Sequence, residues 1–480
     1  VNYRQVNALS SGAQCFQFEP PSPTDRNESE DCLVLDIFTP ALSASDGVSS
    51  LSLRPVLVWI HGGSLIFGST TMYGPVQHLA NLSDVVVVAL NYRLGPLGFL
   101  SHPSLDHEDP RGVSGNYGIL DQQMALRFIR RHVEAFGGDS RRVTVLGHSS
   151  GGTSIFALMA SPASLGLFDA AITLSGSPNI SMSRPEAQRM QDPLIQAVNC
   201  SDPNIVADCL HALPPETIQR LTPSGWSADS FFPVDPDGLD CVPLVIVDGV
   251  TIPSPLLQAL ATPVIDVPFL LQYVRDEDAA WTDDNVASVT ANGFDAFLQH
   301  HFATWPSQTS EELATLYQNV SSGKQAYYDL SCDIGVGCGH NALAQVAARS
   351  MRSPVYLAVV MQAPGAFFAV NGTPIAMPFH GYDFSVAFGI WDPFAAWGSA
   401  TPPSESDLAL GSVLRSQWRS LAAHGSLNTS AVGFDPVGGD GQLATALQYA
   451  DGAVVVRGYK AHTCHQLERL GLDQRFWWIN

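Results

Sequence analysis

Ser149 stands in Gly147-His148-Ser149-Ser150-Gly151, a G-x-S-x-G pattern. The strand-like run Arg142-Val143-Thr144-Val145-Leu146 leads into it, and the small-residue run from Gly152 to Met159 leaves it with helical character. In that setting the pattern predicts a nucleophile elbow. This tight strand-to-helix turn lifts the serine hydroxyl above a sheet while the glycines make room. A hydroxyl is a weak nucleophile at neutral pH, so Ser149 needs a base, and the base needs an acid to orient it. On elbows of this kind both follow downstream, acid first. Asp276, Glu277 and Asp278 lie just beyond the apolar run Val267-Pro268-Phe269-Leu270-Leu271-Gln272 and rival one another as the acid. His380, one of 14 histidines, lies in the aromatic stretch Phe379-His380-Gly381-Tyr382. Solvated carboxylates and a core histidine would fit the same neighbourhoods. A second signal is His61-Gly62-Gly63-Ser64 after Trp59-Ile60. Its backbone N–H groups, with that of Ser150, suit a developing oxyanion.

Such groups need a scaffold that holds them. Leu33 to Phe38, Val56 to Ile60 and Val85 to Leu90 read as strands, the last two as continuous apolar runs suited to a sheet covered on both faces. Residues 121–136 have helical spacing, with Met124, Ala125, Phe128, Ile129 and Val133 recurring on one side, and stop at Gly137-Gly138. Further strands are expected at 170–174, 267–272, 355–360 and 453–456. Two helical stretches, roughly 185–260 and 285–350, read as excursions from one sheet. The chain 1–480 is therefore expected to form a single α/β domain.

Composition bounds the function. The 480 residues are 45% apolar and 14% charged, enough for a large core. A formal charge of -22 repels phosphate backbones, which argues against nucleic acid and leaves small neutral or cationic substrates. No apolar run approaches a transmembrane span, and Val1-Asn2-Tyr3-Arg4 has no signal-peptide pattern. The eight cysteines lack paired CxxC spacing, so no metal is expected. Sequons at Asn27, Asn81, Asn179, Asn319, Asn371 and Asn428 are glycosylation candidates. With the even cysteine count and the scarcity of lysine (Lys324, Lys460), they predict a secreted, extracellular protein.

Taken in order, these blocks resemble the type-B carboxylesterase/lipase (cholinesterase-like) family of α/β-hydrolases, from about residue 29 almost to the C-terminus. Ser29-Glu30-Asp31-Cys32-Leu33 is similar to its early signature. So are the stretch from Asn91 to Phe99, Gly115-Asn116-Tyr117-Gly118-Ile119-Leu120-Asp121-Gln122, Phe136-Gly137-Gly138-Asp139 and Leu174-Ser175-Gly176-Ser177. The resemblance implies an α/β-hydrolase fold: a large, mostly parallel central sheet flanked by helices, with long helical insertions. It selects Glu277 as the acid through the Asp276-Glu277 pair, and His380 as the base through His380-Gly381-Tyr382. The oxyanion donors then fall on Gly63, Ser64 and Ser150, where the family usually has glycine at the position of Ser64 and alanine at that of Ser150. His148 replaces a common glutamate beside the nucleophile and reads as a supporting neighbour or a packing residue. Asp278 stands where glycine is common, and the family's usual N-terminal strands have no counterpart before Cys15.

By family position, Ala280 and Trp281 are candidates to line the substrate pocket, with Phe67, Trp226 and Phe384 as further candidates. The resemblance also implies the disulfides Cys15–Cys32 and Cys200–Cys209. It leaves Cys241, Cys332, Cys338 and Cys464 open, with Cys332–Cys338 and Cys241–Cys464 as one pairing. Related fungal lipases carry a long flap within the first disulfide loop. Here Pro20-Pro21-Ser22-Pro23 occupies a short one, which favours an esterase acting on dissolved esters over a true triacylglycerol lipase. The resemblance also implies a secreted fungal member of the family. The expected function is cofactor-free carboxylic ester hydrolysis. The alternatives are a lipase acting on acylglycerols and a non-catalytic cholinesterase-like binding protein. Nothing in the sequence fixes an oligomeric state.

Overall fold

The computed structural model describes residues 10–18, 27–40, 53–72, 76–226, 242–280, 289, 293–365, 368–370, 373–390, 402–427, 434–438 and 443–472. Eleven strands occur among them: β1 Leu35–Phe38, β2 Arg54–Ile60, β3 Val86–Leu90, β4 Gly138–His148, β5 Ala170–Leu174, β6 Phe269–Val274, β7 Val355–Val360, β8 Phe368–Val370, β9 Thr373–Ile375, β10 Ala444–Tyr449 and β11 Gly452–Arg457. Nine build one sheet in the order β1-β3-β2-β4-β5-β6-β7-β10-β11, while β8 and β9 form a separate hairpin. Neighbours from β3 through β10 run parallel, and only the outermost strands, β1 and β11, pair antiparallel. This is the α/β-hydrolase fold, with helices on both faces.

The continuous apolar runs are explained by that cover. Along β2 the side chains alternate between two cores. Val56, Val58 and Ile60 enter one, and Leu57 and Trp59 enter the other. Residues of a strand point alternately to opposite faces, so a strand apolar throughout fits only where both faces are buried. The central strands β3, β5, β6 and β7 are buried at every position. Each fully buried valine or leucine contributes about 1.5–3 kcal/mol.

The helix before the elbow differs from the expected one. It spans Tyr117–His132, continues as a tighter turn to Phe136, and buries Ile119, Gln122, Gln123, Leu126, Ile129 and Val133. Met124 and Phe128 instead face solvent, at 63% and 44% exposure. Two buried glutamines take the places an apolar reading would give to hydrophobes. Gln122 donates to Ser154 Oγ (3.0 Å), and Gln123 to Ser161 Oγ (2.9 Å) and Ser164 Oγ (3.0 Å). Amides whose NH2 groups find hydroxyl partners in this way can be buried, and a local apolar count misses them.

Three disulfides occur among the described residues: Cys15–Cys32, Cys200–Cys209 and Cys338–Cys464. The last corrects the Cys332–Cys338 and Cys241–Cys464 pairing. Cys332 and Cys338 lie on one continuous helical run, Gly323–Cys332, Asp333–Gly337 and Cys338–Ser350. Six residues at 1.5 Å per residue separate them by about 9 Å, beyond disulfide reach. Cys332 is a buried free thiol directed at the Val274 carbonyl, 3.7 Å away. Cys241 lies outside the described residues. Among those residues no helix is long and apolar enough to cross a membrane.

Candidate active site

Four chain segments meet beyond the carboxyl ends of the parallel strands, where open α/β sheets place their ligands. The loop 61–68 leaves β2, the elbow leaves β4, the Glu277 turn follows β6, and His380 follows β7 and the β8–β9 hairpin. Register pairs Ile60 with Gly147, His148 with Leu174, and Val274 with Val360, so these ends lie together.

At the elbow, Ser149 has φ 58° and ψ -127° and is nearly buried, while Ser150 begins the helix Ser150–Ala160. A non-glycine residue at positive φ is strained, and such strain gathers at functional sites. Ser149 N–H donates to Leu174 O at 2.8 Å, which ties the turn to β5. The flanking glycines are sterically required. A Cβ on Gly147 would lie 2.2 Å from Gly151 O, and one on Gly151 would lie 2.1 Å from Ile60 O. Ser150 is the first residue of its helix, so its N–H has no carbonyl partner within that helix.

His380 Nδ1 lies 2.6 Å from Glu277 Oε2, and His380 N–H donates to Glu277 O at 3.1 Å. Glu277 Oε1 accepts from Val274 N–H at 3.1 Å. Asp276 is turned elsewhere and accepts from Gln325 Nε2 at 2.5 Å. The carboxylate that meets His380 is thus Glu277's. Burial opposes charge on either member, pushing the Glu277 carboxyl above its ordinary value and the His380 imidazole below its own. The Ser175 hydroxyl and the Val274 N–H oppose the push on Glu277. So short a contact couples the two groups, and a proton between them belongs to the pair.

His148 is packed directly on this pair. Its ring centroid lies 4.4 Å from that of His380 and 4.5 Å from that of Phe384. Burial, and then the neighbouring His380, hold His148 well below its ordinary value, so it stays neutral. The contact brings His380 against the residue immediately before Ser149.

The glycine-rich loop is held from several sides. The His61 ring stacks on Tyr92 at 4.4 Å, and Tyr92 OH donates to His61 O at 2.8 Å. Gln17 Oε1 accepts from Gly68 N–H at 2.5 Å, and Gln17 Nε2 donates to Gly68 O at 3.0 Å. Gln17 lies inside the loop closed by Cys15–Cys32, so its two bonds to Gly68 join that disulfide loop to the glycine-rich loop. Sequence reasoning missed Gln17 because nothing local marks it. Gly63 and Ser64 both have positive φ, and Gly63 O accepts from Ile66 and Phe67 N–H at 2.9 and 3.0 Å.

The described pocket candidates have different surroundings. Phe67 is half-buried and close to Gly63. Phe384 is fully buried in the core against His148 and Trp59, and Trp226 is buried in the other core. Ala280 ends the turn Glu277–Ala280, and Trp281 lies outside the described residues. Of the sequon asparagines, Asn27, Asn81 and Asn319 are exposed and Asn179 is half-buried, while Asn371 and Asn428 lie outside the described residues.

A strained elbow serine, a histidine–carboxylate pair and a glycine-rich loop at the ends of parallel strands define a serine hydrolase of the α/β-hydrolase class. The chain belongs to the carboxylesterase family, whose model matches residues 3–466. It is 29% identical over 441 residues to para-nitrobenzyl esterase of Bacillus subtilis (strain 168), covering 89% of this chain and 82% of that one. Human carboxylesterase 3 is 39% identical over 259 residues, which take in 53% of this chain and 40% of the relative. A solved PNB esterase structure superposes with a TM-score of 0.74 at 26% identity, covering 95% of this chain and 87% of its own. The chain is a carboxylic ester hydrolase of serine carboxylesterase type.

Proposed function

We propose that Ser149, His380 and Glu277 carry this hydrolysis as a triad through an acyl-enzyme. His380 takes the Ser149 proton as Oγ attacks the ester carbonyl, and Glu277 orients the ring and supports the imidazolium. The Gly63, Ser64 and Ser150 amides receive the oxyanion. The tetrahedral intermediate collapses, the alcohol leaves with the proton from His380, and the same base then activates water to release the acid. The observation that carries this reading is the 2.6 Å Nδ1–Oε2 contact on a ring packed at a tilt against His148, one residue from Ser149.

The substrate side of the proposal is a small, dissolved, neutral or cationic ester. The loop closed by Cys15 and Cys32, 17 apart in sequence, leaves little chain for an interfacial flap, and the charge of -22 suits neutral or cationic molecules. Rates along a series of p-nitrophenyl esters of increasing acyl length, and on emulsified triacylglycerols, test this. Saturation below the solubility limit, with no rise on crossing it, is expected. A sharp rise at that limit with preference for long-chain triacylglycerols would make the protein a lipase.

Extracellular location is part of the same proposal, supported by three disulfides and by exposed sequon asparagines at 27, 81 and 319. The fungal character expected from the sequence belongs with it. Loss of mass when the naturally produced protein is treated with an N-glycosidase is the expected sign; unchanged mass would contradict glycosylation at these asparagines.

A further inference from the structure

The oxyanion loop carries three successive residues at positive φ: Gly63 (108°), Ser64 (53°) and Leu65 (58°). Only the first is glycine. For the other two this backbone is unfavourable, and it persists only where the surroundings impose it. Two backbone contacts hold the loop's outer side, Gly95 N–H to Leu65 O and Phe18 N–H to Ile66 O, each at 2.7 Å. On the inner side the base of the loop meets the elbow through the close approach of Gly151 to Ile60 O and His61 O. That approach lies before the strained residues and does not reach them.

One contact joins the strained residues to the elbow. Leu65 N–H donates to the Ser150 hydroxyl oxygen at 3.0 Å, with both residues fully buried. Without it a buried N–H would lose its acceptor, and the strained pair would lose its tie to the segment carrying the nucleophile.

We propose that the Ser150 hydroxyl is a positioning group for the oxyanion hole. By accepting from Leu65 N–H it holds Ser64 and Leu65 in left-handed backbone and sets the Gly63 and Ser64 amides against the Ser150 amide. This rests on the reading of Ser149 as nucleophile. Ser150 then acts twice. Its amide faces the oxyanion, and its side chain places the other two donors. Because the tie serves donors that act mainly on the tetrahedral species, its loss falls on kcat and leaves KM nearly unchanged. Because it also offsets strain at Ser64, glycine at position 64 relieves the dependence on it.

The test uses the full chain on a soluble p-nitrophenyl ester, with an aryl trifluoromethyl ketone as a probe that becomes tetrahedral on the serine. Ser150→Ala keeps the position-150 amide and is expected to lower kcat roughly 10-fold, with KM within about twofold. Affinity for the ketone falls in the same proportion. The double variant Ser64→Gly/Ser150→Ala is expected to recover most of the lost kcat. It also serves if Ser150→Ala alone folds poorly, because under the proposal glycine at 64 restores folding and turnover together. Unchanged kcat and ketone affinity in Ser150→Ala would overturn the proposal. So would a loss carried by KM, or a double variant no better than the single one. Ser149→Ala run beside them separates the two failures: activity surviving there removes the underlying triad. If it vanishes there while Ser150→Ala stays fully active, only the tether is lost.

Discussion

Ser149→Ala is expected to lower kcat on soluble esters by on the order of a millionfold while leaving the fold intact. Alanine keeps the β carbon and therefore the same strained backbone at φ 58°, so the elbow geometry is preserved and only Oγ is removed. The adjacent hydroxyl, on Ser150, is not placed to substitute for it. The Ser150 hydroxyl is committed to Leu65 N–H. Ester binding survives, because the oxyanion loop and core are untouched, and the thermal midpoint stays near that of the parent. Steady-state kinetics with circular dichroism on the same sample checks both halves. Activity within about a hundredfold of the parent in a well-folded variant would exclude Ser149 as the nucleophile.

Glu277→Gln is expected to lower kcat by about 10⁴ through the tautomer of His380 and not through packing. Glu277 Oε1 accepts from Val274 N–H, and Oε2 meets His380 Nδ1. In glutamine the amide oxygen must occupy the first position to satisfy that N–H, which turns the amide NH2 toward Nδ1. The ring then has to accept at Nδ1 and carry its proton on the other nitrogen, where it cannot take one from Ser149. Burial already disfavours charge on Glu277, so a neutral isostere in its place does not destabilise the fold. The expected result is unchanged thermal unfolding with nearly abolished turnover. Turnover within about tenfold of the parent would show that Glu277 does not set the tautomer.

Particular residues show what the sequence made legible. Strands such as Val86–Leu90 announce themselves because both their faces are buried, which demands apolar residues at every position. The elbow is legible because Gly147 and Gly151 leave no room for a Cβ. The motif blocks at residues 91–99 and 115–122 have a structural reason that their spacing alone hides. Arg93 forms a two-pronged ion pair with Asp121, through Nε at 2.8 Å and a second guanidinium nitrogen at 2.8 Å, and so joins the two blocks. Contacts between distant residues were not legible. Asp276 and Asp278 are close rivals of Glu277 as the partner of His380, 103 residues further on, and it is the family resemblance that settles on Glu277. Strand β10, Ala-Thr-Ala-Leu-Gln-Tyr, which lies between β7 and the edge strand β11, carries too little apolar pattern to stand out. Met124 and Phe128 misled because buried glutamines paired with serines took the inner face of their helix. Cys338–Cys464 spans 126 residues, which no local spacing rule reaches.

The most direct test of the account is where a covalent ester analogue attaches. The protein would be treated with a p-nitrophenyl alkylphosphonate, and its intact mass and peptide map compared with those of Ser149→Ala. The account expects one phosphonyl group per chain on the Ser149 peptide, activity lost in step with labelling, and no labelling of Ser149→Ala. A label on any other residue that tracks the loss of activity, or full hydrolysis by a chain labelled at Ser149, would contradict it.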